Sequence, residues 1–337
     1  MRRWQLALGV LVSAVFLYLA LKGLDLPAVW DTVRGARYAW IVPGVAVYFG
    51  AVWARTWRWH YLLRPLKAVR LRDLFPVVVI GYMGNNVFPY RAGEVIRAYI
   101  LRRNEGVSIS ASLATIIVER TFDGLTMLIF VFAALPFVPL PNGLRLTVIL
   151  ATLVFLGALV VFFVLALSPH RAAQITMWFI NRLLPERLRH PALGVATRFM
   201  DGLASLRSPR DLLMTLVSSL AIWLTETGKY WFVMHAFDFS VSFFALMLMT
   251  AVVNLATTLP STPGYVGTFD EPGIETLKAF GVQADVAAGY TLVLHAALWL
   301  PITLLGFWYM GRQGVRWADF GQALQTTRTQ SQEGIEA

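Results

Sequence analysis

Asn85-Asn86-Val87-Phe88-Pro89-Tyr90-Arg91-Ala92-Gly93-Glu94 stands where an apolar stretch begun near Leu71 should continue as one helix. Proline has no N–H for the helical ladder, so Pro89 ends the first arm. A second, amphipathic arm resumes near Ala92. The same event recurs in the second half of the chain. There Leu259-Pro260-Ser261-Thr262-Pro263-Gly264-Tyr265-Val266-Gly267-Thr268-Phe269-Asp270-Glu271 breaks another apolar stretch. Interrupted segments at matching places in two halves are the best sequence pointer to a binding site inside a membrane protein.

The surrounding composition fits that setting. Of 337 residues, 57% are hydrophobic and 14% charged, with a mean hydropathy of +0.61. Soluble domains carry about a quarter charged residues, so the chain reads as an integral membrane protein. It has no cysteine, which removes disulfides, thiolate catalysis and Cys-based metal sites. The net charge of +10 comes from basic residues clustered between apolar runs. That is the pattern of loops facing an anionic leaflet, and nucleic acid is not an expected partner. Met1-Arg2-Arg3 and the apolar run Trp4 to Leu21 lack a small-residue cleavage site, so they read as a retained first span. The polar tail 322–337 reads as disordered.

Six apolar runs are long enough to cross, at about 4–21, 38–54, 108–136, 144–167, 211–235 and 284–310. The broken segments, 71–104 and 242–281, have arms too short to cross and read as re-entrant hairpins. Basic residues set the orientation. Arg55, Arg58, Arg64, Lys67, Arg70 and Arg72 follow span two, and Arg312 and Arg316 follow the last. The opposite loops hold only Lys22, Arg34, Arg37 and Arg145. Both termini are therefore expected in the cytoplasm of a bacterial or archaeal cell, and the two hairpins enter from opposite sides.

The fold expected is an all-α polytopic domain over 1–321, built as an inverted repeat of 38–136 and 211–311. An amphipathic cytoplasmic linker, 168–210, joins them. Gly106-Val107-Ser108 precedes Glu119, and Gly281-Val282-Gln283 precedes His295. Glycine and ionisable residue are 13 positions apart in one half and 14 in the other.

Helix starts inside a membrane expose unpaired N–H groups and a positive dipole end, which suits an anion. Arg91 stands at the first tip, and Arg97 follows Glu94 on the same face. In the second knot, Ser261, Thr262 and Gly264 offer hydroxyls and close backbone approach, with Asp270 and Glu271 at the helix start. Asn85, Asn86, Pro89, Pro260 and Pro263 read as support. Glu119 lies 11 residues beyond Ser108, about 16 Å deep at 1.5 Å per residue. Glu119 and Asp123 share a face, and Arg120 needs a carboxylate partner from another element, with Glu94, Glu226 and Glu271 available. The cluster reads equally as a structural lock or as the lining of a substrate path. Glu226 and Lys229 are spaced to pair within one helix. His295 reads as a helix–helix hydrogen bond, and Trp40, Trp53, Trp57, Trp59, Trp308 and Trp317 as an interfacial belt.

HExxH, GxSxG, GxGxxG and Walker patterns are absent, as is clear metal-ligand spacing. No catalytic residue, metal or cofactor is expected. Three readings are carried, the first two drawing on the family resemblance described below. The first is a transporter that passes a lipid headgroup between the knots. The second is a membrane transferase acting on a lipid phosphate, with Glu119 or Asp123 as base. The third, less favoured because no knot gathers several close carboxylates, is a soluble-ion transporter. Membrane lipids are the expected partners, and a homo-oligomer stays open.

The blocks NNVFPYRAGEVIRAYILRR (85–103), GVSISASLATIIVERTFDGL (106–125) and NLATTLPSTPGYVGTFDEPGIETLKAFGV (254–282) resemble a known family. It is the transmembrane region of lysylphosphatidylglycerol synthase, the flippase domain of the multiple peptide resistance factor. That resemblance implies lipid translocation between leaflets by two re-entrant hairpins around a central cavity. It implies site positions at Arg91, Glu94, Arg97, Glu119, Arg120 and Asp123, at the Pro260–Gly264 turn, and at Asp270 and Glu271. The chain ends at residue 337 without a soluble aminoacyl-transfer domain, so lysyl-lipid synthesis is not expected. Stand-alone relatives are tied variously to aminoacylated lipids, polyprenyl-phosphate sugars and hopanoids, which leaves the lipid open.

Overall fold

The computed structural model describes residues 3–88, 91–137, 185–202, 208–259 and 262–315, with scattered positions between 150 and 182. Pro89, Pro260, Ser261, Trp317, the tail and most of the expected span 144–167 lie outside the described residues. Within them the protein is all-helical, without strands. The α-helices are α1 (Arg3–Leu21), α2 (Leu26–Gly35), α3 (Ile41–Leu63), α4 (Leu71–Val87), α5 (Ala92–Glu105) and α6 (Ile109–Ala134). After them come α7 (Glu186–Gly202), α8 (Pro209–Met234), α9 (Phe243–Ala256), α10 (Asp270–Ala279) and α11 (Ala284–Arg312).

Local chemistry fixes the helix ends. Ser108, Ser208 and Ser242 each accept a main-chain N–H three residues on, capping α6, α8 and α9. Gly106 and Gly281, at φ 73° and 81°, turn the chain after α5 and α10. The expected breaks fall where the sequence puts them: α4 ends at Val87 and α5 starts at Ala92, while α9 and α10 flank a short 3-10 turn, Pro263–Tyr265. The short α2, bent 84° from α1, is an addition; Asp25 caps it and Pro27 fills its first turn.

Each broken segment forms a helical pair. Gly84 faces Gly93, and Gly81 faces Arg97, so α4 and α5 run antiparallel at backbone contact. A Cβ on Gly93 would overlap the Gly81 carbonyl oxygen and come 2.7 Å from Asn85 Oδ1, which only glycine avoids. In the second pair, Gly273 of α10 sits against Met249 of α9. The pairs then cross over. α4 packs along α11, where Gly306 admits Met83, and α9 packs along α6. α3 and α8 run against each other between them.

By length and apolarity alone, α11 is the one unbroken helix among the described residues able to cross a bilayer. α3, α6 and α8 have 23, 26 and 26 residues, long enough at about 1.5 Å per residue. They miss that standard because each carries charges, most of which are turned inward against one another (below). Span two, expected to end at 54, runs on to Leu63. This corrects the reading of Arg55 and Arg58 as loop charges: both are buried, at 6% and 1% exposure. The belt reading also fails for Trp59, which is fully buried and donates to Thr115 Oγ1 at 3.0 Å.

Candidate functional site

The charges of α3, α5, α6 and α8, with Arg91 just before α5, form two ion-paired sets in two layers, joined through Trp223. The deeper layer centres on Arg58 of α3. Arg58 donates to Asp123 Oδ1 at 2.6 Å and to Ser219 Oγ at 2.7 Å, and its Nε lies 3.7 Å from Glu119. Arg97 of α5 meets the other Glu119 oxygen at 3.1 Å and lies 4.0 Å from the Trp59 ring centre. Trp223 donates to Asp123 at 2.8 Å. Every charge in this layer has a partner, which is what burial in a low dielectric demands.

The upper layer opens onto a cavity of about 170 Å³. Arg55 and Lys229 both donate to Glu226. Arg120 reaches Asp123 at 3.1 Å and Glu94 at 3.7 Å. Arg91 sits 3.7 Å from the same Glu94 oxygen and donates to the Thr257 carbonyl at the end of α9. Arg55, Arg91, Arg120 and Lys229 line the cavity, and among the described residues Glu226 is the single carboxylate lining it. Aromatic rings, among them Tyr48, Tyr82, Trp223 and Tyr265, complete the wall. The Nε–H groups of Arg55, Arg91 and Arg120 have no hydrogen-bond acceptor among the described residues. The Nε–H groups of Arg58 and Arg97, behind the wall, share that condition, so the unpaired donors belong to the whole network, at a cost of about 1–3 kcal/mol each.

The charge balance favours an incoming anion. Across both layers stand six cations, Arg55, Arg58, Arg91, Arg97, Arg120 and Lys229. Against them stand four carboxylates, Glu94, Glu119, Asp123 and Glu226. A fifth carboxylate, Asp270, is matched separately by His295 at 2.7 Å. The buried network therefore carries an excess of positive charge. The cavity is smaller than the roughly 300–1,000 Å³ of pockets that enclose a whole ligand, so it suits a headgroup whose tails lie elsewhere. Among the described residues no cluster of His, Asp and Glu is placed to hold a metal ion.

The sequence-derived candidates divide accordingly. Arg91, Arg120, Asn85, Asn86, Gly264, Glu226 and Lys229 line the cavity, whereas Glu94, Arg97, Glu119 and Asp123 stand behind it. Asp270 accepts from the Gly267 N–H at 2.9 Å, tying its helix start to the preceding turn. Thr262 is tied to α1, its hydroxyl 2.8 Å from Ser13 Oγ. Pro263 opens the 3-10 turn. Glu271, half-buried on α10, does not line the cavity. Asn86 donates to Thr303 Oγ1 at 2.8 Å, fastening the first knot to α11. Arg55, Arg58 and Trp223 are the participants the sequence reading missed. For Arg55 and Arg58 the signal was their place on the stripe Ala51, Val52, Arg55, Thr56, Arg58, Trp59, Leu62 along α3, whose spacing is helical; Trp223, on α8, had none.

The model of the lysylphosphatidylglycerol synthase transmembrane region matches residues 6–306. The chain belongs to that family. Its relatives include a UPF0104 membrane protein of Methanothermobacter thermautotrophicus, 25% identical over 85% of this chain and 86% of its own. A second UPF0104 membrane protein of that organism is 27% identical over 79% of this chain and 82% of its own. The glycosyltransferase AglD of Haloferax volcanii is 26% identical over 90% of this chain. This chain spans about half of AglD, 54% of its length. No solved structure matches. With its family, composition and helices, the chain is a lipid-related integral membrane protein.

Proposed function

We propose that the protein is a lipid transporter that moves an anionic, phosphate-bearing lipid between leaflets by seating its headgroup in the central cavity. The carrying observation is that four cations and one carboxylate line that cavity, in a network of six cations and four carboxylates. Arginine forks donate two parallel bonds to a phosphate, and ring faces cover the less polar part of a headgroup. Tails would stay in lipid.

The order of helix contacts supports an inverted repeat. α3 to α6 and α8 to α11 pair in the same sequence, and each set's first hairpin arm lies on the other set's last helix. The matched αL glycines, Gly106 and Gly281, support it too. In this reading α4–α5 and α9–α10 are re-entrant hairpins meeting tip to tip, and the long helices cross with their charges turned inward. Arg64, Lys67, Arg70 and Arg72 still support cytoplasmic termini.

A transferase is the weaker reading, because Glu119 and Asp123 are ion-paired behind the cavity wall. The test is reconstitution in vesicles with fluorescent lipids of several phosphate-bearing classes. Faster movement than in empty vesicles for at least one class is expected. Failure across the panel sinks the proposal, and a covalently altered lipid found by mass spectrometry would move the assignment to the transferase.

A further inference from the structure

Both ring nitrogens of His295 face oxygen acceptors. Nδ1 lies 2.7 Å from Asp270 Oδ1, and Nε2 lies 2.7 Å from the carbonyl oxygen of Gly264. A carbonyl only accepts, and so does an ionised carboxylate, whereas a neutral imidazole offers one N–H. Two contacts of this length therefore need two protons. Either the ring carries both against a carboxylate, or Asp270 carries one and the ring the other. In both divisions the pair holds one proton more than a neutral histidine beside a free carboxylate.

The pair is placed where that proton matters. Gly264 and Tyr265 are successive left-handed residues, at φ 75° and 61°. A non-glycine residue keeps that conformation only while its surroundings impose it. Gly264, Tyr265 and Phe269 form one wall of the cavity, and His295 fastens that wall to α11. The Phe269 ring lies 4.5 Å from the imidazole. On the far side Ser13 holds Thr262 to α1.

We propose that Asp270 and His295 form a proton-binding site that latches the second knot over the cavity, and that loss of its proton releases the knot. Without the proton, one of the two 2.7 Å gaps sets two lone pairs face to face, and the oxygen and nitrogen repel. The tie between Gly264 and α11 then opens, while the Ser13 tie remains as a hinge.

Glu271, Glu275 and Lys278 lie on the helix of Asp270, and Asp31 and Arg34 on α2, which packs on α11; the other charges share the cavity with the pair. Across the cavity stand Arg55 of α3, Arg91 of α5, Arg120 of α6 and Lys229 of α8, with Glu226 beside them. The phenols of Tyr48, Tyr82, Tyr230 and Tyr265 share the same space. The network's two cations in excess oppose an added proton, and an anion seated among them relieves that opposition. Proton and anion therefore help one another to bind, by linkage. The use of the latch in transport rests on the transporter reading; its protonation and its hold on the knot do not.

The natural chain has no cysteine, so Val266→Cys, on the exposed side of the knot, takes a single nitroxide spin label. Its mobility in the purified full-length protein is recorded between about pH 5 and pH 9, the range that brackets histidine titration. Mobility is expected to rise severalfold with pH in this background. It is expected to stay flat when His295→Gln or Asp270→Asn is added. Either variant suffices if the other fails to fold. A flat profile with the native pair, or an unchanged pH response in both variants, overturns the proposal. Lipid movement is measured on the same samples in vesicles. If the label titrates and no lipid moves, the transporter reading falls and the proton site stands. If lipid moves and the label does not titrate, the proton site falls.

Discussion

Arg91, at the tip of the first helical pair, donates across 3.2 Å to the main-chain carbonyl of Thr257, at the tip of the second. Its own backbone is left-handed there, at φ 51°. One side chain thus bridges the two breaks in the chain, and its ring contact with Tyr265, 5.8 Å from the centroid, lies on the same side.

Arg91→Ala is expected to slow lipid movement at least about tenfold, the loss of a charge-assisted hydrogen bond of about 1.5–3 kcal/mol. Arg91→Lys should recover only part, since a point charge replaces a fork. Initial rates in vesicles measure both. A rate unchanged in the alanine variant removes Arg91 from the site.

Arg58 is a stability residue. It is 1% exposed and answers Glu119 and Asp123 together. Arg58→Met removes one of two cationic partners from each of two buried carboxylates, leaving Glu119 to Arg97 and Asp123 to Arg120, and is expected to cost about 3 kcal/mol, with partial recovery when Asp123→Leu is added. Thermal unfolding in detergent reads this. A single variant as stable as the parent would contradict the pairing.

Glu226→Gln acts in the opposite sense on the ligand. It leaves Arg55 and Lys229 without their shared carboxylate, adding positive charge at the cavity wall. Binding of a short-chain phospholipid should tighten about tenfold or more, a gain of about 1.4 kcal/mol, while turnover slows because release becomes harder. Calorimetric titration checks the first and vesicle rates the second. Weaker binding would show that Glu226 itself contacts the ligand.

Gly93→Ala tests the first helical pair. The added methyl falls on the Gly81 carbonyl oxygen, which is backbone and has nowhere to go. A cost at the upper end of overpacking, about 3 kcal/mol or more, is expected in thermal unfolding. An alanine variant of parental stability would show that α4 and α5 do not meet there.

The two breaks were legible because proline, glycine and asparagine interrupt apolar runs for a local reason, and local chemistry survives in one dimension. The Gly106–Ser108 and Gly281–Gln283 turns were legible on the same ground. Arg55 and Arg58 were not. A basic residue just past an apolar run looks like a loop charge, and what turns these inward is distant in sequence: Asp123 lies 65 residues from Arg58, and Glu226 lies 171 from Arg55. Trp59 was misread for the same reason, since its polar partner, Thr115, is on another helix. Glu119 and Asp123 were found by depth, but only their partners put them behind the cavity wall.

The unmatched cations in the buried network have an electrical consequence. A transmembrane voltage does about 2.3 kcal/mol of work per charge per 100 mV. With no anion bound, six cations face four carboxylates, and the field acts on the difference. With a phosphate seated, most of that difference is gone. On the transporter reading proposed above, voltage therefore works on the protein with no anion seated and largely releases it once one is, so the membrane potential would bias the unloaded state.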